Sequence, residues 1–237
     1  MELAAIVPLS CLDMVKGFKY HLVEAYWLQE YPKYYEFFEE MSKIGDKYLM
    51  LDNSEGIKHR VSDEVLLEYA DKLAVQEVII PDVSPIKSRD RNGAAKTLEL
   101  ARSFKEKAKG SKFKLMGVAH GCNIEEVARL LKFFKDDTVG FPNKAAIPRE
   151  FLMRYCSIPK ERRHMLGASS YMEIVRCKEL ARSVDTNLAV RAAASSSFIF
   201  TFNDRHTRIP FDMNMQIVPI GRVEAYIRYL QKAIAED

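Results

Sequence analysis

Three aspartates stand where apolar runs end. Asp52 closes KYLMLD and opens the polar turn NSEG, Asp82 closes QEVIIPD, and Asp185 closes the shorter RSVD. An ionised carboxylate at the end of a buried strand is poorly explained by packing, because it must be paired, hydrogen-bonded or used. Taken singly, each could equally be a helix cap, a common place for Asp. Taken together they suit acid, base or nucleophile chemistry. One carboxylate can attack an anomeric carbon and trap the oxocarbenium-like centre, while a second carries the leaving group's proton. A third can accept from the amidine-like N–H edge of a purine.

The elements that would position these acids alternate along the chain. Leu3 to Leu9 reads as a strand with Pro8 at its end, where a missing ladder donor matters least. Ser10 to Gln29 reads as an irregular connection, and a helix follows from about Pro32 to Ile44, with Pro32 at a first helical position. Its aromatics Tyr34, Phe37 and Phe38, with Tyr31 and Tyr35, read as packing in preference to a base-stacking platform. After the Asp52 turn, Ser62 caps an amphipathic helix. Strand 76–82 leads through the loop VSPIKSRDRN to a helix from Gly93 to about Lys109, stopped by Gly110. Further strands are expected at 112–118, 137–141, 162–167, 183–185 and 198–202 (FIFTF). Helices capped by Asn123, Pro148 and Ser169 or Ser170 lie between them, with others near 188–194 and 222–235.

That order of short βα units predicts a parallel sheet, and eight of them predict one (β/α)8 TIM barrel over residues 1–237, with active sites at the carboxyl ends of the strands. An open doubly wound sheet is the alternative, but no GxGxxG or GxxxxGK[ST] follows the first strand. On a barrel, Asp52, Asp82, His120, Asn143, Gly167 and Asp185 all fall on the same rim. Phosphate contacts are expected from Lys87, Arg89 and Arg91 in one rim loop and from Arg205 and Arg208, beside His206, in another.

Composition sets wide bounds. With 48% hydrophobic residues in 237 the chain can bury a full core, and 36 basic against 33 acidic residues permit nucleic-acid binding without demanding it. Cys11, Cys122, Cys156 and Cys177 include no CxxC pair, so no zinc site or disulfide framework is expected. The amino terminus is unlike a signal peptide and no stretch approaches a membrane span. A cytoplasmic protein without metal or cofactor is the expectation.

The ordered set IIPDVSP, KLMGVAHG with IEEV, RRHMLGAS with EIV, and VDTNLAVR resembles the tRNA-guanine transglycosylase superfamily over about Lys47 to Arg191. Those barrel enzymes exchange guanine in nucleic acid for a 7-deazaguanine such as preQ0 through a covalent glycosyl–enzyme intermediate. The resemblance implies Asp185 as nucleophile, Asp52 in proton transfer and Asp82 as reader of the purine edge. It also places His120-Gly121 in the base-binding turn, where the family has Gln-Gly. Phe141 to Asn143 match a backbone segment against the base, Leu166-Gly167 the Met-Gly that packs on the ring, and Arg191 the closing arginine of the nucleophile motif.

Departures shape the expectation further. The first turn reads DNSEG, without the family's second glycine, and nothing can form the C-terminal zinc subdomain of the tRNA enzymes. The short chain is similar to the compact phage DpdA-type transglycosylases that modify DNA, so DNA is favoured over tRNA as partner and, for a phage protein, the host cytoplasm as location. A tRNA-acting enzyme and a catalytically inactive nucleic-acid-binding barrel are the alternatives, and a homodimer or an accessory role in a modification complex stays open. A barrel lyase or aldolase would want a strand-end lysine or a phosphate-gripping glycine loop, and neither is present.

Overall fold

The computed structural model describes residues 1–54, 59–84, 91–143, 145–194, 213–214 and 219–236. Eight strands form one parallel sheet: β1 (Glu2–Ala5), β2 (Tyr20–Glu24), β3 (Tyr48–Asp52), β4 (Glu77–Ile79), β5 (Lys114–Val118), β6 (Thr138–Pro142), β7 (Arg163–Leu166) and β8 (Ser183–Thr186). Their order is β1-β8-β7-β6-β5-β4-β3-β2, and β2 comes round against β1, so the sheet nearly closes into a (β/α)8 TIM barrel. Around it lie α1 (Ala25–Glu30), α2 (Pro32–Ser42), α3 (Asp63–Lys72), α4 (Gly93–Lys107), α5 (Ile124–Phe133), α6 (Arg149–Tyr155), α7 (Tyr171–Cys177) and α8 (Leu188–Ala194). The terminal helix α9 (Ile220–Ala235) packs on α8, α7 and β1. It covers the first strand, whose own connection to β2 carries only a 3-10 helix, Leu9–Val15.

The eight strands differ from those expected in one member. The stretch from Ser10 to Gln29 is not an irregular connection, since it supplies β2 and α1. YHLVE escapes the usual alternation because both of its faces are buried. Leu22 faces the barrel interior, while His21 and Val23 pack outward beneath α2. The expected strand at 198–202 lies outside the described residues.

Helix starts follow the cap chemistry of the sequence. Ser62 accepts from Val65 N, Asn123 from Glu126 N, and Ser170, of the two candidate serines, from Glu173 N. Glu126 reaches back across the same turn, accepting from Cys122 N at 2.7 Å and from Asn123 Nδ2 at 3.2 Å.

Strand residues divide between two cores, as period-two alternation requires. Ala4, Leu22, Met50, Ile79, Met116 and Val118 fill the barrel, while Leu49, Leu51, Phe141, Met165 and Val184 belong to the helix–sheet layer. Gly140 is needed inside, because a Cβ there would stand 2.4 Å from Leu166 Cδ1 and 3.2 Å from Met116 Sδ. The amino end of the barrel is plugged. Tyr20 and Tyr48 stack with ring centroids 4.7 Å apart, and Arg182 lies over both rings while pairing with buried Glu77. Burial pushes the Tyr48 hydroxyl up to about 12, with the Glu77 charge adding to the effect, so it stays a neutral hydrogen-bonding group. Among the described residues no helix is long and apolar enough to cross a membrane.

Candidate active site

The carboxyl ends of the strands surround a cavity of about 350 Å³, within the ordinary range for small-molecule pockets of about 300–1,000 Å³. Its floor is apolar, from Ile6, Leu22, Ile79, Val118 and Leu166. Its polar wall includes Asp52, Asp82 and Asp185, together with His120, Asn143 and Arg191. Inward parity on each strand explains the convergence: Asp52 follows Met50 on β3, and Asp185 is the Cα partner of inward Ala4.

Asp185 is 3% exposed and firmly held. The Gly167 N–H reaches both of its oxygens, at 2.9 and 3.0 Å, and His164 Nε2 lies 3.0 Å from Oδ1. Gly167 has φ +64°, a left-handed conformation in which glycine carries no Cβ penalty, and this turn aims its N–H at the carboxylate. His164 is fully buried, and its Nδ1 is 2.8 Å from Ser183 Oγ. The β7–β8 register His164↔Ser183 puts these groups side by side. Behind them, Arg149 of α6 pairs with Glu173 of α7 and donates to the carbonyls of Phe141 and Leu166, at 3.1 and 2.7 Å. The guanidinium thereby ties the ends of β6 and β7 together beneath Asn143 and Gly167.

On the other side, Asp52 accepts from Ser54 N at 3.0 Å. Ser54 is buried with φ +67°, a sparsely populated conformation for a residue with a Cβ, and its Oγ accepts from Tyr26 N at 3.0 Å. Glu24, the Cα partner of Asp52 on β2, is a fourth carboxylate on the cavity wall. Its backbone N–H donates to the Tyr34 hydroxyl at 3.2 Å. Burial holds that hydroxyl far above the usual tyrosine range; the Glu24 hydrogen bond offsets this in part, and the charges of Glu24 and Asp52 add to it. Tyr34 is therefore a neutral prop behind the two acids. Asp82 Oδ2 lies 2.8 Å from His120 Nε2, with both side chains largely buried.

The remaining candidates are distributed as follows. Asn143, Leu166 and Gly167 line the cavity. The Phe141 side chain points the other way, into the helix–sheet layer, so only its backbone belongs to the rim. Gly121 lies against the first turn of α5, where a Cβ would meet Val127 Cγ2 at 2.8 Å, and is not on the cavity wall. Arg91 is exposed ahead of α4. Lys87, Arg89, Arg205 and Arg208 fall outside the described residues. Glu24 and Trp27, which line the cavity, and His164, which bonds to Asp185, are not among the candidates that the sequence offers. Glu24 ends a strand that was not expected, and the partnership of His164 with Asp185 depends on register.

Among the described residues no three of the His, Cys, Asp and Glu side chains are grouped to hold a metal ion. No protein-family model matches this chain, and a search of curated proteins finds no significant similarity. Architecture is what the structure establishes: a nearly closed (β/α)8 barrel, a scaffold common among enzymes, with its cavity on the rim where such barrels carry their active sites.

Proposed function

We propose that this protein is a base-exchange transglycosylase that replaces guanine in nucleic acid, DNA in preference to tRNA, with a 7-deazaguanine such as preQ0. The observation that carries the reading is the meeting of Asp52, Asp82 and Asp185 on one heterocycle-sized cavity, in the chain order that the transglycosylase motifs imply. In the first half-reaction an Asp185 oxygen bonds to C1′ as the C1′–N9 bond breaks. The electron pair leaves on guanine, which takes a proton from Asp52. In the second, N9 of the incoming base attacks C1′ and gives its proton back to Asp52, and the departing Asp185 carboxylate is restored. Asp82 holds the purine edge throughout. Lys87, Arg89, Arg91, Arg205 and Arg208 are proposed to meet phosphates, and the host cytoplasm is the proposed setting.

The test is incubation with duplex DNA, single-stranded DNA or tRNA and labelled deazaguanine, followed by digestion to nucleosides and mass analysis. Label in a nucleoside from DNA is the expected result. Without an incoming base, a denaturation-resistant protein–DNA adduct should accumulate. Label found only in tRNA would move the substrate, and no label or adduct with any acceptor would refute the exchange.

A further inference from the structure

Of the described residues that line the cavity, four are carboxylates, Glu24, Asp52, Asp82 and Asp185, and one, Arg191, is a permanent cation. Two of the acids have an imidazole beside them, Asp82 that of His120 and Asp185 that of His164. The other two stand next to each other. Glu24 and Asp52 are Cα partners on the parallel strands β2 and β3, and neighbouring strands run about 4.8 Å apart. Each lies two positions beyond an inward residue, Leu22 or Met50, so both side chains leave the sheet on the same face. Their charges bear on one group, the buried Tyr34 hydroxyl behind them. Glu24 is only 6% exposed, so water screens the pair poorly.

Two carboxylates in such a place ionise together only at a large electrostatic cost, and one of them then keeps its proton well above the ordinary carboxylate range. The other described groups that face the pair leave this cost standing. Tyr34 of α2 is neutral, and Tyr26 of α1 stacks on the exposed His59 beside the Ser54 turn. Across the cavity Asp82 and Asp185 add negative charge, His120 is engaged with Asp82, and the one guanidinium of Arg191 is set against four acids.

We propose that Glu24 and Asp52 share one proton at neutral pH, and that Glu24 thereby keeps Asp52 an acid until guanine leaves. This rests on the base-exchange reading, in which Asp52 must begin protonated, and adds the residue through which it does so. Protons and charge balance. At the start the pair carries one proton and one negative charge, and Asp185 carries another. As an Asp185 oxygen bonds to C1′ and the C1′–N9 bond breaks, the proton of the pair passes to guanine, which departs neutral. The pair is then doubly charged and Asp185 is an uncharged ester, so the total charge on the three acids is the same before and after. The doubly charged pair is a strong base for the N9–H of the incoming heterocycle, and the proton it takes restores the starting state.

Infrared difference spectroscopy on the full chain reads the proton without substrate. At neutral pH wild-type protein should show the carbonyl stretch of a protonated carboxyl, and the band should disappear in folded Glu24→Gln and Asp52→Asn proteins. Exchange kinetics read its use. Glu24→Gln keeps the size of the side chain but removes the like charge, so Asp52 ionises at lower pH. The alkaline limb of kcat should move down by about one pH unit or more, a rate loss of about tenfold on its alkaline side. Glu24→Asp restores a charge and should return the limb toward its wild-type position. Absence of the band from wild-type protein would overturn the proposal, as would its persistence in either variant or a rate that falls by the same factor at every pH in Glu24→Gln. The adduct with DNA separates this failure from that of the exchange reading. An adduct formed by protein that lacks the band overturns the shared proton alone, whereas the band without any adduct overturns the exchange reading alone.

Discussion

Asp185–His164 and Asp82–His120 are chemically the same pair in two settings. The first is sealed: its imidazole is fully buried, both ring nitrogens are committed, and a backbone N–H from the Gly167 turn locks the carboxylate. The second borders the cavity, and the Nδ1 of its imidazole is buried without a hydrogen-bond partner. A group that must attack a fixed point benefits from having no alternative geometry, because misplacement by about 1 Å can cost on the order of 100-fold in rate. A group that reads a ligand needs spare hydrogen-bonding capacity instead. In the proposed exchange reaction, chemistry belongs to the β7–β8 side of the barrel and base selection to the β4–β5 side.

Asp185→Asn should break the contrast most severely. The amide keeps size and most hydrogen bonding but has no nucleophilic charge. Exchange should fall by at least about 10³-fold, with folding and nucleic-acid binding retained. Gel analysis of denatured reaction mixtures should show no DNA adduct. An undiminished adduct would transfer the nucleophile's role to another rim acid, Asp52 first.

His164 should act on rate through Asp185. His164→Leu removes both ring hydrogen bonds, and the exchange rate should drop about 100-fold at little change in KM. Leaving the Ser183 hydroxyl and one Asp185 oxygen short of a partner should also cost about 1–3 kcal/mol of stability, measurable by urea unfolding. His164→Gln, which can still donate to Asp185, should recover much of the rate. If both variants weaken base binding and leave kcat alone, His164 does not serve the nucleophile.

A third imidazole shows what burial does without a carboxylate. His21 donates Nε2–H to the Phe18 carbonyl at 3.0 Å and lies edge-on to Phe37 and Phe38. Burial pulls it down to about 4, with the charge of Lys47 adding and the Phe18 bond opposing. The unfolded chain, with an ordinary histidine near 6.5, then binds the proton first as pH falls. The His21 contribution is therefore intact above about pH 6.5 and is lost progressively between there and pH 4. Between pH 7 and pH 5 the loss should be about 2 kcal/mol. Chemical denaturation at both pH values should find a shallower dependence in His21→Leu, and an equal slope would mean that His21 titrates normally in the fold.

These histidines also mark what sequence could and could not supply. Asp52, Asp82 and Asp185 were legible because an acid directly after an apolar run is an anomaly in one dimension. Glu24 is the same kind of residue and was missed, because YHLVE has a polar residue at each end and a histidine packed outward, so it has no one-sided pattern. The partners of the aspartates were not legible for a different reason. His164 meets Asp185 because β7 and β8 pair in a particular register, and His120 meets Asp82 because β4 and β5 are neighbours. Neither relation leaves a trace in local spacing. The inward or outward sense of Phe141 likewise depends on Gly140 facing into the barrel, where Leu166 and Met116 take the space.

Asp82→Asn applies the smallest change and gives the sharpest form of the comparison, since it repeats at the open pair the substitution made at the sealed one. The amide oxygen can still accept from His120 Nε2–H, which leaves the NH2 group where Oδ1 had been. A donor then faces the ring N–H of the base, and one favourable contact becomes a repulsive one. Affinity for guanine should fall by about tenfold or somewhat more, as expected when a hydrogen bond to a charged acceptor is lost. In the proposed reaction, attack on C1′ does not pass through this residue. The DNA adduct should therefore still form in Asp82→Asn, at a rate limited by how well the target guanine is seated. Quantifying adduct and free-base affinity in the same preparation separates the two roles. Loss of the adduct as complete as in Asp185→Asn, at unchanged affinity for the base, would place Asp82 in the chemistry and erase the division between the two pairs.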